Sequence, residues 1–168
     1  EYVGRAKAVQ AEEKARRAGE GSAEVLAQLH KVPGCENLTW NDVQIASTIF
    51  AVKPGDGSAR EQAASCQRVL GAGANIVTEY ATKRYRSNLI NWGMLPFLMK
   101  DPAVLDNGDY VYLPGVRKAL LNADDKLTAI AVKPDGGVVR FTVSLGAMTD
   151  AERQILADGC LINYYKNH

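Results

Sequence analysis

An excess of either charge is the first thing missing: 20 Lys and Arg stand against 19 Asp and Glu, a formal net charge of +1. A protein that grips phosphate backbones regardless of sequence carries a clear basic surplus, so this composition argues against nucleic acid as a partner. No apolar run reaches the ~18 residues a membrane-crossing helix needs, which argues against a membrane as partner. No signal peptide is visible, and the chain opens at Glu1 rather than Met, which reads as a fragment or a processed piece. Cysteine is scarce and unpaired. Cys35, Cys66 and Cys160 are odd in number, far apart and without a C-x-x-C pair. Such a set supports neither a disulfide scaffold nor a compact zinc site, so the expectation is three reduced cysteines acting as small hydrophobes in a cytoplasmic protein. Internal repeats and low-complexity segments are absent too.

What is present suits one globular domain: 168 residues, 46% hydrophobic and 23% charged. Ala6 to Leu29 is rich in strong helix formers, with Gly19 and Gly21 dividing it into two helices and Ser22 capping the second. The alternating charges of this segment predict a solvated face. Val43 to Val52 reads as a buried strand, Lys53 to Gly57 as a turn, and Ala59 to Leu70 as a helix closed by Gly71 and Gly73. A short strand at Asn75–Thr78, a helix over Lys83–Trp92 and an extended segment over Met94–Met99 follow. Strands are expected at Asp109–Leu113, Leu127–Lys133 and Val138–Ser144, the last two joined by Pro134-Asp135-Gly136-Gly137 as a hairpin. Thr149 and Glu152 have the spacing of a capping box and open a terminal helix. Mixed helices and strands with an antiparallel closing pair predict a layered α/β domain with a mixed sheet.

Gly55-Asp56-Gly57-Ser58-Ala59-Arg60-Glu61 is the segment most open to a chemical reading. Its glycines permit a sharp bend and close approach by another group. Ser58 and Glu61 have capping-box spacing, so a helix is expected to start at Ser58, with free N–H groups and the positive end of its dipole turned toward an anion. Arg60 lies in that first turn, where a cation disfavours the helix by ~0.3–1 kcal/mol. A carboxylate or phosphate between Arg60 and the helix end would account for the placement, since a guanidinium grips such groups with paired hydrogen bonds. An ordinary N-cap serine and a surface arginine give the same pattern.

These residues resemble the aconitase and isopropylmalate isomerase family of hydro-lyases. Its swivelling domain carries a G-x-G-S-S-R-E turn after a strand, then a strand, a helix and an N-L-x-x-x-G-x-L-P segment. Here the counterparts are Gly55 to Glu61, Ile76-Val77-Thr78, Asn88-Leu89 and Gly93-Met94-Leu95-Pro96, in order and at matching separation. Gly159-Cys160-Leu161-Ile162-Asn163 is similar to the end of the family's last helix. The resemblance runs from about Val43 to the C-terminus and implies a three-layer β/β/α swivelling domain. Residues 32–168 would form that domain, and the helical segment 1–31 would be part of it or a linker. It also implies reversible dehydration and hydration of a hydroxy-polycarboxylic acid over a [4Fe-4S] cluster whose exposed iron is the Lewis acid. By position, Ser58 matches the catalytic serine base and Arg60 the carboxylate-binding arginine. Gly57 and Ala59 join Arg60 among the substrate-binding positions.

Three departures stand out. Ala59 replaces a second serine, Tyr80 to Arg84 replace a Ser-Phe-Ala-Arg-Ile-like run, and the family's opening Thr-Thr-Asp-His segment is missing. The family holds its cluster with a lone cysteine and a later C-x-x-C pair in other domains, and the cysteines here fit neither. The resemblance therefore implies cluster-bearing domains, or a separate subunit, as partner, and an isolated chain without turnover. Two further readings accompany it: a small subunit of an isopropylmalate isomerase-like enzyme, or an RNA-binding regulatory relative using Lys83, Arg84 and Arg86. His30 reads as a surface or packing residue, Trp40, Trp92, Tyr164 and Tyr165 as core or interdomain contacts, and His168 as disordered.

Overall fold

The computed structural model describes residues 1–168. Two helices, α1 (Tyr2–Arg17) and α2 (Ala23–His30), precede the sheet. Gly19 and Gly21 separate them, and Ser22 Oγ caps α2 by accepting from Val25 N at 3.5 Å. Then come β1 (Ser47–Ala51), α3 (Arg60–Val69), β2 (Ala72–Val77), α4 (Lys83–Asn91) and β3 (Leu95–Leu98). This is a β-α-β-α-β run, and β1, β2 and β3 pair in parallel. A 3-10 turn at Pro102–Val104 leads to β4 (Tyr110–Tyr112), α5 (Val116–Leu121), β5 (Lys126–Val132) and β6 (Val138–Ser144), which form an antiparallel half. The chain ends in α6 (Asp150–Asp158) and α7 (Leu161–Asn167).

The result is the expected α/β fold with a mixed sheet of six strands in the order β1-β2-β3-β6-β5-β4. A single pair, Leu98 with Ser144, joins the two halves. Thr48 of β1 and Tyr112 of β4 belong to opposite edges yet line the same concavities, so the sheet curls and brings its edges toward each other. Ile76, Phe97, Ala129, Ala131 and Val143 form the core with Ile90 of α4, Leu120 of α5 and Ile155 of α6. A smaller cluster of Ala64, Ala72, Tyr85, Leu89 and Met94 fixes α3 and α4 on the parallel half.

Several expectations need correction. The strand expected over Val43–Val52 is confined to β1, an edge strand with Ile49 and Phe50 more than a third exposed, because nothing pairs on its outer side. α5 was not anticipated: it is six residues long, too short to show an apolar period. Gly159 does end α6, in the left-handed region at φ +100°, but α7 follows it. Of the cysteines only Cys35 is buried, while Cys66 is exposed and Cys160 lies between. His168 is ordered against the fold: its ring lies 4.9 Å from that of Tyr164 and Nε2 is 3.4 Å from Asp158. The α6 capping box and the β5–β6 hairpin are as expected.

Gly93 closes α4 at φ +74°, and a Cβ there would run into the carbonyl of Gly159. Both backbone strain and a backbone clash oppose a side chain, so Gly93→Ala should lower stability by roughly 3 kcal/mol. An unchanged urea midpoint would contradict this.

α1 buries no residue and is held by polar contacts. Glu13 accepts from Arg16 Nε at 2.7 Å, Arg17 Nε at 2.8 Å and Ile45 N at 2.8 Å, while Arg16 Nη1 donates to Trp40 O at 2.6 Å. Burial pushes the Glu13 carboxyl upward, but the donors from Arg16, Arg17 and Ile45 outweigh it and hold the group at about 2, against an ordinary 4.5. A depressed carboxyl contributes stability above its unfolded value and loses it as pH falls through the folded one. Amide protection of α1 should therefore fall between about pH 4.5 and 2, and Glu13→Gln should weaken the docking already at neutral pH. Protection of α1 that is flat across that window in the unaltered chain would refute the assignment.

Candidate functional site

In a parallel β-α-β-α-β run the loops leaving the strand C-termini lie side by side, and ligands gather at that edge. Here the loop after β1 carries residues 52–59 and the loop after β2 carries residues 78–82. They are laced together: Glu79 N donates to Val52 O at 2.9 Å and Ala81 N to Pro54 O at 3.0 Å. Thr82 Oγ1 donates to Gly55 O at 3.1 Å and accepts from Tyr85 N at 3.2 Å, so one hydroxyl both caps α4 and grips the turn. Gly55 has φ +96°, and its α-carbon lies so close to Tyr85 that a Cβ would enter the ring. Tyr85 is buried, and its Oη is 2.8 Å from both Gln67 Nε2 of α3 and Asn75 Nδ2 of β2.

Beyond this anchored entry the turn projects outward, with Asp56, Gly57, Ser58 and Ala59 all exposed. The structure corrects the capping expectation. The N-cap of α3 is Ala59, at φ −85° and ψ 52°, and it makes no side-chain cap. Ser58 lies one residue too early, so its hydroxyl is not consumed by the helix and no capping box forms with Glu61. Since the first bond of the helix runs from Ala63 N to Ala59 O, the N–H groups of Arg60, Glu61 and Gln62 have no intrahelical acceptor. Arg60 is half-buried, and its Nε is a buried donor without a partner. Leaving such a donor unpaired costs about 1–3 kcal/mol, a cost that is relieved if the side chain turns outward to an acceptor.

A free hydroxyl, three unpaired N–H groups and an unpartnered guanidinium nitrogen thus occur within five consecutive residues. Such a set suits an acidic ligand and an oxyanion on the serine. Gly57, Ser58, Ala59 and Arg60 line none of the three concavities of 370–530 Å³, which lie elsewhere on the domain. They are presented on the surface of this chain rather than enclosed by it.

The other singled-out residues are mostly structural. Arg86 Nη2 donates to Leu145 O at 2.8 Å, which leaves Lys83 and Arg84 as the exposed members of the basic run. Tyr80 is largely buried, which raises its phenol pKa, and it donates to Phe97 O at 3.2 Å. His30 Nε2 lies 2.8 Å from Leu38 O. The substituted run Tyr80 to Arg84 therefore supports the turn through Ala81 and Thr82, a role that sequence reasoning did not assign. The only local signal was Thr82 directly before a helix.

No group of three or more His, Cys, Asp and Glu side chains is placed to hold a metal ion, and no helix is long and apolar enough to cross a membrane. The model of the aconitase C-terminal domain matches residues 18–102. The chain is 38% identical to the mitochondrial aconitate hydratase of Gracilaria gracilis over 85 residues, 49% of this chain and 10% of that protein. It is 29% identical to aconitate hydratase A of Legionella pneumophila over 116 residues, 66% of this chain and 13% of that protein. It is 31% identical to the methanogen homoaconitase small subunit of Methanocaldococcus jannaschii over 125 residues, 74% of this chain and 62% of that one. The chain thus spans about a tenth of the two hydratases and 62% of the small subunit. A solved 3-isopropylmalate dehydratase of Methanocaldococcus jannaschii overlays with TM-score 0.48 at 24% identity, covering 79% of this chain and 70% of that one.

Proposed function

The chain belongs to the aconitase C-terminal domain family, and on that premise we propose that it supplies the proton-abstracting serine and a carboxylate-binding arginine of a hydro-lyase. The substrate class is a hydroxy-polycarboxylic acid. Ser58, as alkoxide, takes a proton from the carbon adjacent to the one bearing the hydroxyl; the C–H electron pair becomes the double bond as the C–O bond breaks and the hydroxyl leaves. The unpaired N–H groups of Arg60, Glu61 and Gln62 stabilise that alkoxide. Arg60, turned outward, holds a substrate carboxylate with its guanidinium fork, with Gly57 and Ala59 leaving room for the ligand to approach. The observation that carries the reading is that the Ser58 hydroxyl is not spent on capping while Arg60 Nε is buried without an acceptor.

When bound, a [4Fe-4S] cluster supplies Lewis acidity toward the departing hydroxyl. The residues of this chain do not fit it: Cys35 precedes β1, Cys66 is on α3 and Cys160 precedes α7, with no clustered ligands. The cluster therefore lies in other domains of the same polypeptide or in a separate large subunit. Either arrangement completes a cleft over the exposed turn, and free cysteines suit a reducing compartment such as the cytoplasm.

Complementation tests the reading. The cluster-bearing part alone, and this chain alone, should each fail to dehydrate citrate or isopropylmalate, and mixing or rejoining them should restore turnover. Equal turnover of the cluster-bearing part without this chain would overturn it.

A further inference from the structure

We propose that Thr82 and Tyr85, on the first turn of α4, are positioning residues that hold Ser58 at its working place. The inference rests on the serine-base reading given above. Ser58 sits on an exposed stretch between two fixed points, the carbonyl of Gly55 and the start of α3. The first point is set from α4, and the second begins a helix that α4 ties nearer its far end. Thr82 Oγ1 ties the Gly55 carbonyl, and the ring of Tyr85 fills the space that any residue but glycine would need at position 55. The same tyrosine reaches α3 and β2 through its phenol oxygen, 2.8 Å from Gln67 Nε2 and from Asn75 Nδ2. Asn75 is the single buried polar residue of the chain, which fits a tie selected for geometry rather than for burial. Gln67 lies on the helix that begins at Arg60, so the phenol ties the body of α3 to the same tyrosine that shapes the turn.

A base must meet its proton within hydrogen-bond reach, and misplacement by about 1 Å costs on the order of 100-fold in rate. Thr82→Val and Tyr85→Phe remove the two ties while keeping shape. Each should lower kcat of the reassembled enzyme on citrate, or on isopropylmalate where citrate is not turned over, by roughly 10- to 100-fold. KM should stay within about threefold, because Arg60 still carries the carboxylate. Thr82→Ser, which restores the donor and the cap, should recover kcat; a loss of folding, which lowers apparent kcat without moving KM, is told apart by the urea midpoint of each variant. In the 168-residue chain alone, amide exchange of Ala63 and Ala81, whose N–H groups donate to Ala59 O and Pro54 O on either side of the turn, should quicken in Thr82→Val and Tyr85→Phe and be normal in Thr82→Ser.

Ser58→Ala, measured alongside, separates the two claims. Loss of turnover in Ser58→Ala with kcat intact in Thr82→Val and Tyr85→Phe overturns the positioning role and leaves the base assignment standing. Turnover surviving in Ser58→Ala overturns the base assignment, and with it the catalytic part of the positioning role. Exchange at Ala63 and Ala81 unaltered by Thr82→Val and Tyr85→Phe overturns the lock in either case.

Discussion

Replacing Ser58 with alanine is expected to lower kcat by about 10³- to 10⁴-fold, the range lost when a positioned base or activated nucleophile is removed. KM should change by less than about threefold, since the hydroxyl contributes to proton transfer more than to ground-state binding. Stability separates this from a structural role. An N-cap serine changed to alanine costs typically ~1 kcal/mol. Ser58 is exposed and α3 has no side-chain cap, so its replacement should move stability by no more than about 0.5 kcal/mol. Steady-state kinetics of the reassembled enzyme and urea unfolding of the chain supply the two readings. Turnover within tenfold of the unaltered enzyme would show that the base lies elsewhere.

Arg60→Lys carries the second large effect. A lysine keeps the charge but loses the planar fork that pairs with both oxygens of a carboxylate. Losing one charge-assisted bond of about 2–3 kcal/mol should lower kcat/KM by roughly 30- to 150-fold, mostly as a rise in KM. The unpartnered Nε makes the accompanying stability effect informative. No internal hydrogen bond at that nitrogen is lost, so the variant should be as stable as the parent or slightly more stable. An unchanged KM would remove Arg60 from the binding site. A stability loss of 2 kcal/mol or more would mean that the guanidinium has a partner within the fold.

Both effects start from residues that can be singled out along the chain, and the reason is physical. The glycine bend, the serine and the arginine are consecutive, so their proximity is a property of the covalent chain. The α6 capping box, the β5–β6 hairpin and the Ser22 cap are equally local, and each recurs in the structure at the expected residues. The free state of the Ser58 hydroxyl was not legible. S-x-x-E spacing at Ser58 and Glu61 satisfies the capping rule, and only the backbone of Ala59 shows that the helix starts one residue later. Nor was the edge position of β1 legible, because apolar content cannot reveal which strand lacks a neighbour.

The sequence by itself determined most of the elements, α5 and α7 apart, and the short motif that bears the serine and the arginine. All of these depend on residues within a few positions of one another. The tertiary structure alone decided that α4 anchors that motif, through Thr82 on Gly55 and Tyr85 between α3 and β2. These partners lie 10 to 27 residues apart in the chain. Contacts at that range exist only after the parallel strands have set the two loops side by side, and no local pattern encodes them.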